Sequence, residues 1–298
     1  MSHTSRRLAP LMAALLIAAC GSDGATSDTG SPATTTASEP IDLVADVAYN
    51  SSQLLDIYVP SDGSDWPVVV YLHGGVNDAD ARKTVADTGE ALAAQGVLTY
   101  VPTWNGLGPA GGSQDTICAV AYAHATAAEH GGDPDRLMNA GYSAGGWGAV
   151  IHALLGDTAP LPVDDCVADA TVPTQTVVAA GGAPFFVAEW AREGAFNQPE
   201  WTGLTPEQID VFDPYLAVEA GVNPELRLVL FVGERDVGGT QSFPIAESTL
   251  EFDEAARAAG YDVELTVVPG GHLPPQAKGT EQFDAWIATI AEAAHSQP

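Results

Sequence analysis

The stretch Asn139-Ala140-Gly141-Tyr142-Ser143-Ala144-Gly145-Gly146 decides how this chain is read. It carries G-x-S-x-G directly after a predicted strand, Leu137 to Gly141, and directly before a predicted helix, Ala144 to Leu155. A chain that turns sharply from strand to helix at a serine holds that residue in strained backbone angles. Glycines two places before and two places after allow neighbouring backbone to approach where a Cβ would clash. The product is a hydroxyl raised at the end of a sheet, beside a helix N-terminus that can stabilise an oxyanion. In a chain with 31 glycines the pattern alone is weak. Its weight comes from three further stretches in a particular order.

Upstream, Pro67 to Leu72 is a nearly unbroken apolar run, as expected of a strand buried on both faces, and it ends in His73-Gly74-Gly75-Val76. A glycine pair there can aim backbone N–H groups into a site. Downstream, Leu226 to Val232 reads as another buried strand and is followed by Gly233-Glu234-Arg235-Asp236. Val263 to Val268 reads as a last strand and is followed by Pro269-Gly270-Gly271-His272. A serine nucleophile needs a base, and the base needs an orienting carboxylate. Ser143, Asp236 and His272 supply them in chain order, each on a loop after a strand. Glu234 is a rival for the acid, two residues away.

These stretches resemble the α/β-hydrolase superfamily, and within it the hormone-sensitive-lipase-like and related carboxylesterases, from about Asp46 to Trp286. By that resemblance Ser143 is the nucleophile, Asp236 the acid and His272 the base. Gly74, Gly75 and Ala144 match the positions whose N–H groups form the oxyanion hole, and His73 matches the residue that shapes that loop. Leu54 to Pro60 resembles an early strand of the family. Asp115 to Ala128 with Gly131 to Leu137 resembles its second helix and the approach to the nucleophile strand. Where the lipase-like branch usually has a third glycine, this chain has Val76. The resemblance implies a serine esterase that needs no cofactor and takes a small-molecule ester.

The alternation of elements points independently to an α/β fold. Strands are predicted at Leu43 to Tyr49, Leu54 to Val59, Val68 to Leu72, Val97 to Val101, Leu137 to Gly141, Thr176 to Ala180, Leu226 to Val232 and Val263 to Val268. Helices are predicted at Ala79 to Gln95, Ser113 to His130, Ala144 to Leu155, Ala246 to Ala259 and Glu281 to Ala293. The last places Phe283, Trp286, Ile287 and Ile290 on one face. Such alternation predicts a mostly parallel eight-stranded sheet with helices on both faces, whose ligand sites lie at the carboxyl ends of the strands. All three candidate triad residues fall there. The stretch of about 183–223 is too long for a simple connection and reads as a small lid insertion. Its Phe185, Phe186 and Trp190, with His73, Trp104, Tyr142 and Trp147, are candidates to line a substrate pocket.

The N-terminus reads separately. Arg6 and Arg7 precede an apolar run from Leu8 to Ala19, too short to span a membrane and flanked like an export signal. Ile17-Ala18-Ala19-Cys20 resembles the bacterial lipobox, which implies a signal peptide over residues 1–19 and a lipid on Cys20 that anchors the protein to a membrane outside the cytoplasm. A plain secretory signal is the alternative. Residues 20–40 are rich in Ser, Thr, Gly and Ala and read as a flexible tether. The hydrolase domain then covers 41–298.

The formal charge is −29, from 10 basic and 39 acidic side chains. Such a surface repels nucleic acid and anionic headgroups, which excludes a nucleic-acid partner and leaves the lipid as the anchor. With Cys20 assigned to lipid, Cys118 and Cys166 are an even pair in an oxidising compartment and candidates for a disulfide, two separately buried thiols being the alternative. His124, His130 and His152 lack metal spacing and read as surface or satisfied core residues. No metal, phosphate-loop or dinucleotide pattern is present. The sequence carries no sign of oligomeric state.

Three functions remain in play: a carboxylesterase for short- to medium-chain esters, an amide-cleaving relative such as an arylformamidase or a peptidase, and a catalytically silent hydrolase fold serving as a surface binding protein.

Overall fold

The computed structural model describes residues 41–75, 80–105, 109–156, 165–168, 173–188, 205–238, 243–272 and 278–298. The signal peptide, Cys20, the tether and residues 189–204 of the expected lid, Trp190 included, lie outside them.

Eight strands form one sheet: β1 (Asp42–Ala48), β2 (Leu54–Val59), β3 (Trp66–Leu72), β4 (Leu98–Pro102), β5 (Gly132–Tyr142), β6 (Val177–Gly181), β7 (Arg227–Gly233) and β8 (Val263–Val268). Their spatial order is β1-β2-β4-β3-β5-β6-β7-β8. From β4 across to β8 every neighbouring pair is parallel, while β2 runs antiparallel to both β1 and β4. The expected architecture is therefore observed. β5 is the longest strand and starts earlier than predicted, because Gly132 pairs with Trp66 before the register shifts.

Helices follow at α1 (Ala86–Ala93), α2 (Pro109–Thr126), α3 (Ala144–Leu155), α4 (Pro206–Val211), α5 (Pro214–Glu219), α6 (Ile245–Ala259) and α7 (Glu281–His295). The helix predicted from Ala79 is a 3-10 turn, Ala81–Val85, that passes into α1. The one predicted to reach His130 ends in a 3-10 turn, Ala127–His130, closed by left-handed Gly131.

Period-two alternation sorts the central strands onto two cores. Val68, Val70 and Leu72 of β3 face a cluster that includes Ala119 and Ala123 of α2, Ile151 of α3 and Phe252 of α6. Val69 and Tyr71 face the opposite cluster, with Leu92 of α1 and Phe283, Trp286, Ile287 and Ile290 of α7. The predicted stripe on α7 is thus core packing. Each fully buried Val, Leu, Ile or Phe contributes about 1.5–3 kcal/mol, so strand centres this apolar are stable only with both faces covered. Burial on both faces makes the parallel sheet a rigid platform for the loops at its carboxyl end.

Within the insertion, α4 opens on a capping box, Thr205 with Gln208, and α5 on the Asp213 carboxylate, which accepts from the Leu216 N–H at 3.0 Å. Sequence periodicity had not separated these short helices; their caps are the signal that could have. Cys118 and Cys166 form a disulfide with a Cα–Cα distance of 4.9 Å, tying α2 to the segment that also bridges Asn50.

Candidate active site

β5 delivers Tyr142 to the sheet edge, and Ser143 turns the chain into α3 with φ 57° and ψ −124°. A non-glycine residue at positive φ is strained. It is held because the Ser143 N–H donates to the Gly181 carbonyl at 2.8 Å and its carbonyl accepts from Trp147 at 3.1 Å. Both glycines of G-x-S-x-G are required by close approach. A Cβ at Gly145 would stand 2.0 Å from the Leu72 carbonyl oxygen, and one at Gly141 2.3 Å from the carbonyl oxygen of Gly145. The elbow is pressed against the end of β3.

That contact brings the loop after β3 beside the serine. A Cβ on Gly74 would lie 3.1 Å from Ser143 Cβ. His73 is fully buried. Its Nδ1 lies 3.1 Å from the Gly74 carbonyl, its Nε2 meets the Trp104 N–H at 3.5 Å, and its own carbonyl accepts from Trp104 Nε1 at 3.1 Å. Acceptance at Nε2 puts the ring proton on Nδ1, facing Gly74. His73 therefore fixes the loop and does not face a substrate. Gly75 takes φ +82°, the left-handed region glycine tolerates. Ala144 is the first residue of α3, where N–H groups have no intrahelical acceptor. Gly74 and Ala144 thus lie beside Ser143, with Gly75 next in the same loop; Val76 lies outside the described residues.

The acid and base arrive on loops after β7 and β8. These loops are zipped together: the Glu234 N–H donates to the Val268 carbonyl and the Arg235 N–H to that of Gly270, each at 2.8 Å. Gly233 allows it, since a Cβ there would stand 2.6 Å from the Gly271 carbonyl oxygen. His272 Nδ1 lies 2.7 Å from Asp236 Oδ1, and Nε2 lies 3.0 Å from Ser143 Oγ. The Asp236 side chain is buried and that of His272 is 24 % exposed. Glu234 points into solvent beside Arg235, so the rivalry over the acid ends with Asp236 against the histidine. A hydroxyl, an imidazole and a buried carboxylate in one hydrogen-bonded line can deprotonate the hydroxyl and hold the resulting imidazolium.

Several candidate pocket residues need correction. Trp104 is fully buried and packs on α3, where a Cβ at Gly148 would meet its ring at 2.7 Å. Phe185 is also fully buried and stacks on Phe252, ring centroids 4.0 Å apart. Trp147 is 3 % exposed and donates Nε1 to the Phe212 carbonyl at 2.9 Å. Tyr142 is 2 % exposed and faces His272. All four were drawn into the core because large aromatics bury more area there than at a wet rim. Phe186 remains half-buried, against Tyr215 at 4.6 Å. Val237, next to Asp236 in the chain, is 51 % exposed.

Two anchors behind the site were also missed. Arg82, 1 % exposed, pairs with Asp46 and with Asp56 at 3.0 Å and donates to Thr103 Oγ1 at 3.2 Å. It pins the turn beyond the His73 loop to β2 and to the loop after β4. Asp115 of α2 accepts from Asn50 Nδ2 at 2.8 Å and from the Asn105 N–H at 2.9 Å, and burial pushes its carboxyl up to about 6. His152, read as a surface or satisfied core residue, is buried, and neither ring nitrogen has a hydrogen-bond partner among the described residues. Among the described residues no cluster of His, Cys, Asp and Glu could hold a metal.

Comparison with known proteins adds to this geometry. The BD-FAE family model matches residues 55–183, from β2 to the turn after β6. No curated protein matches. Among solved structures, Thermogutta terrifontis esterase 2 in its apo form superposes with a TM-score of 0.64 at 19 % identity, over 87 % of this chain and 96 % of that one. A truncated carbohydrate esterase from gut microbiota reaches 0.67 at 18 % identity, over 85 % and 96 %. The butyrate-bound Thermogutta enzyme gives 0.63 at 18 %, over 86 % and 92 %. The fold is the α/β-hydrolase fold. The stretch matched by BD-FAE contains Ser143, while Asp236 and His272 lie beyond it.

Proposed function

We propose that this protein is a serine carboxylesterase that hydrolyses short- to medium-chain carboxylic esters through Ser143, His272 and Asp236. The observation that carries the reading is the unbroken line from Ser143 Oγ through both ring nitrogens of His272 to Asp236, set on a strained strand-to-helix turn. The likeness to BD-FAE and to solved esterases supports it.

In the first half-reaction the neutral Nε2 of His272 takes the Ser143 proton as Oγ attacks the ester carbonyl. The carbonyl oxygen becomes an oxyanion, received by the N–H groups around Gly74, Gly75 and Ala144. Collapse expels the alcohol, which takes the proton from His272, and leaves an acyl-Ser143. In the second half-reaction His272 deprotonates a water that attacks the acyl carbonyl. The carboxylate leaves, and Ser143 regains its proton. Asp236 holds the imidazole in one tautomer and balances its charge. The acidic surface, −29 over the chain, disfavours anionic esters.

The site is placed outside the cytoplasm by the same proposal, as a lipoprotein held by Cys20. Replacing Cys20 with Ala should move the protein from the membrane fraction to the soluble fraction.

The deciding experiment is hydrolysis of p-nitrophenyl esters from acetate to dodecanoate by the purified chain, with Ser143→Ala alongside. Activity that peaks at short or medium chains and vanishes in the variant is expected. Equal activity in Ser143→Ala, or none in folded wild type, overturns the proposal.

A further inference from the structure

We infer that Tyr142 is a positioning residue for His272: its ring steadies the imidazole while the proton of Ser143 passes through it. The inference rests on the esterase reading above and assigns a role to the x that precedes the serine in G-x-S-x-G.

The Tyr142 ring lies 5.1 Å from the His272 ring, centroid to centroid, at a tilt of 45°. On another side it meets Trp286 at 6.3 Å, near edge-on, and Trp286 in turn meets Phe231 at 5.3 Å. An aromatic column thus runs from the candidate base into the core between the sheet and α7. The space for Tyr142 is made by two glycines after β6. A Cβ at Gly181 would lie 2.7 Å from its Cδ2, and one at Gly182 would lie 2.9 Å from its hydroxyl oxygen. Gly182 sits at φ +52° and donates its N–H to the Phe231 carbonyl at 2.8 Å. The tyrosine is therefore gripped, and a gripped ring can restrain its neighbour.

The restraint is needed at one stage in particular. His272 has one hydrogen bond at each nitrogen, to Asp236 and to Ser143. Once Oγ is acylated it no longer offers a proton to Nε2, and among the described residues the ring keeps its bond to Asp236 and the tilted contact with the Tyr142 ring. The contact also acts on charge. An aromatic ring attracts a cation within about 6 Å of its centroid, with an energy of roughly 0.5–2 kcal/mol. Neutral imidazole gains little from it, whereas the imidazolium formed on attack gains this much, so the interaction grows toward the transition state. Among the described residues the charged groups on the loops around His272 are Asp236, bonded to it, and Glu234 and Arg235, which pair in solvent.

The test uses the full chain with p-nitrophenyl acetate and a fluorophosphonate probe. It compares Tyr142→Phe, Tyr142→Leu and Tyr142→Met with wild type, and includes Ser143→Ala. Phe keeps the ring and should stay within about twofold of wild type. Leu and Met should lower kcat by about 3- to 30-fold, leave KM within about twofold, and slow phosphonylation of Ser143 by the same factor. Wild-type kcat in Leu and Met overturns the inference. So does a loss in Phe equal to that in Leu, which would assign the effect to the hydroxyl, or a change confined to KM. If Leu is unfolded by circular dichroism, Met carries the test. Unfolding of both overturns it as well, making Tyr142 a core residue before all else. Activity in Ser143→Ala would instead remove the esterase reading itself, a separate outcome.

Discussion

Asp236 presents Oδ1 to His272 Nδ1 at 2.7 Å, while its buried Oδ2 has no hydrogen-bond partner among the described residues. The carboxylate is thus committed to the histidine. Asp236→Asn keeps the shape but offers an amide that can turn its NH2 to Nδ1 and so impose the wrong tautomer. Turnover of a p-nitrophenyl ester should fall on the order of 10⁴-fold. Glu234→Gln, two residues away and solvent-exposed, should leave turnover unchanged; equal losses in the two would contradict the assignment.

Gly74 leaves no room for a side chain. An alanine Cβ there would stand 2.8 Å from the Tyr142 carbonyl oxygen, so the loop must retreat from Ser143. Gly74→Ala should lower kcat by roughly 10²- to 10³-fold, the scale for loss of one oxyanion donor, with a smaller change in KM. Steady-state kinetics on a short-chain ester decides it.

The disulfide between Cys118 and Cys166 joins residues 48 apart. In the chain-entropy model a loop of that length is worth about 4 kcal/mol. Cys118→Ser with Cys166→Ser should lower Tm by roughly 10 °C, read by calorimetry. A reductant should have the same effect on wild type and none on the double variant.

His152 is buried without a hydrogen-bond partner among the described residues, and burial pushes its imidazole down to about 3. An unfolded chain binds this proton below about pH 6.5, the folded chain only near 3. Stability is therefore whole above about 6.5 and is lost as pH falls toward 3, by about 2 kcal/mol at pH 5. Asp115 acts in the opposite sense: its raised carboxyl favours the folded state at low pH and loses that favour as pH rises through about 6. The comparison is therefore between variants. On going from pH 7.5 to pH 5, wild-type stability from urea midpoints should fall by about 2 kcal/mol relative to that of His152→Leu, which keeps only the opposing contribution of Asp115.

With a net charge of −29 the folded chain repels itself. Screening shortens the Debye length from about 10 Å at 0.1 M salt to about 3 Å at 1 M. Tm should rise with sodium chloride over that range. A flat or falling Tm would mean that local ion pairs such as Lys278 with Asp87 and Glu90 outweigh the net repulsion.

Much of this molecule is legible from local pattern. Strands buried on both faces, such as Val68 to Leu72, read as apolar runs, and the glycines at 141 and 145 mark a close approach that no other residue permits. The order of Ser143, Asp236 and His272 follows from their places after strands. The aromatic candidates were not legible in the same way. Trp104, Phe185 and Trp147 satisfy any pattern for a pocket, and hydropathy does not say on which side of a loop a ring will lie.

The sequence by itself determined the alternation of strand and helix, the elbow at Ser143, the loop stations of the acid and base and the acidic surface, because each depends on spacing along the chain or on composition. Only the tertiary structure decided that Asp236 and not Glu234 meets His272, that Cys118 reaches Cys166, that Arg82 lies buried between Asp46 and Asp56, and that Tyr142 turns inward against the base. Those are contacts between segments far apart in the chain, 129 residues in the case of Ser143 and His272. Their partners are selected by packing, which local periodicity does not encode.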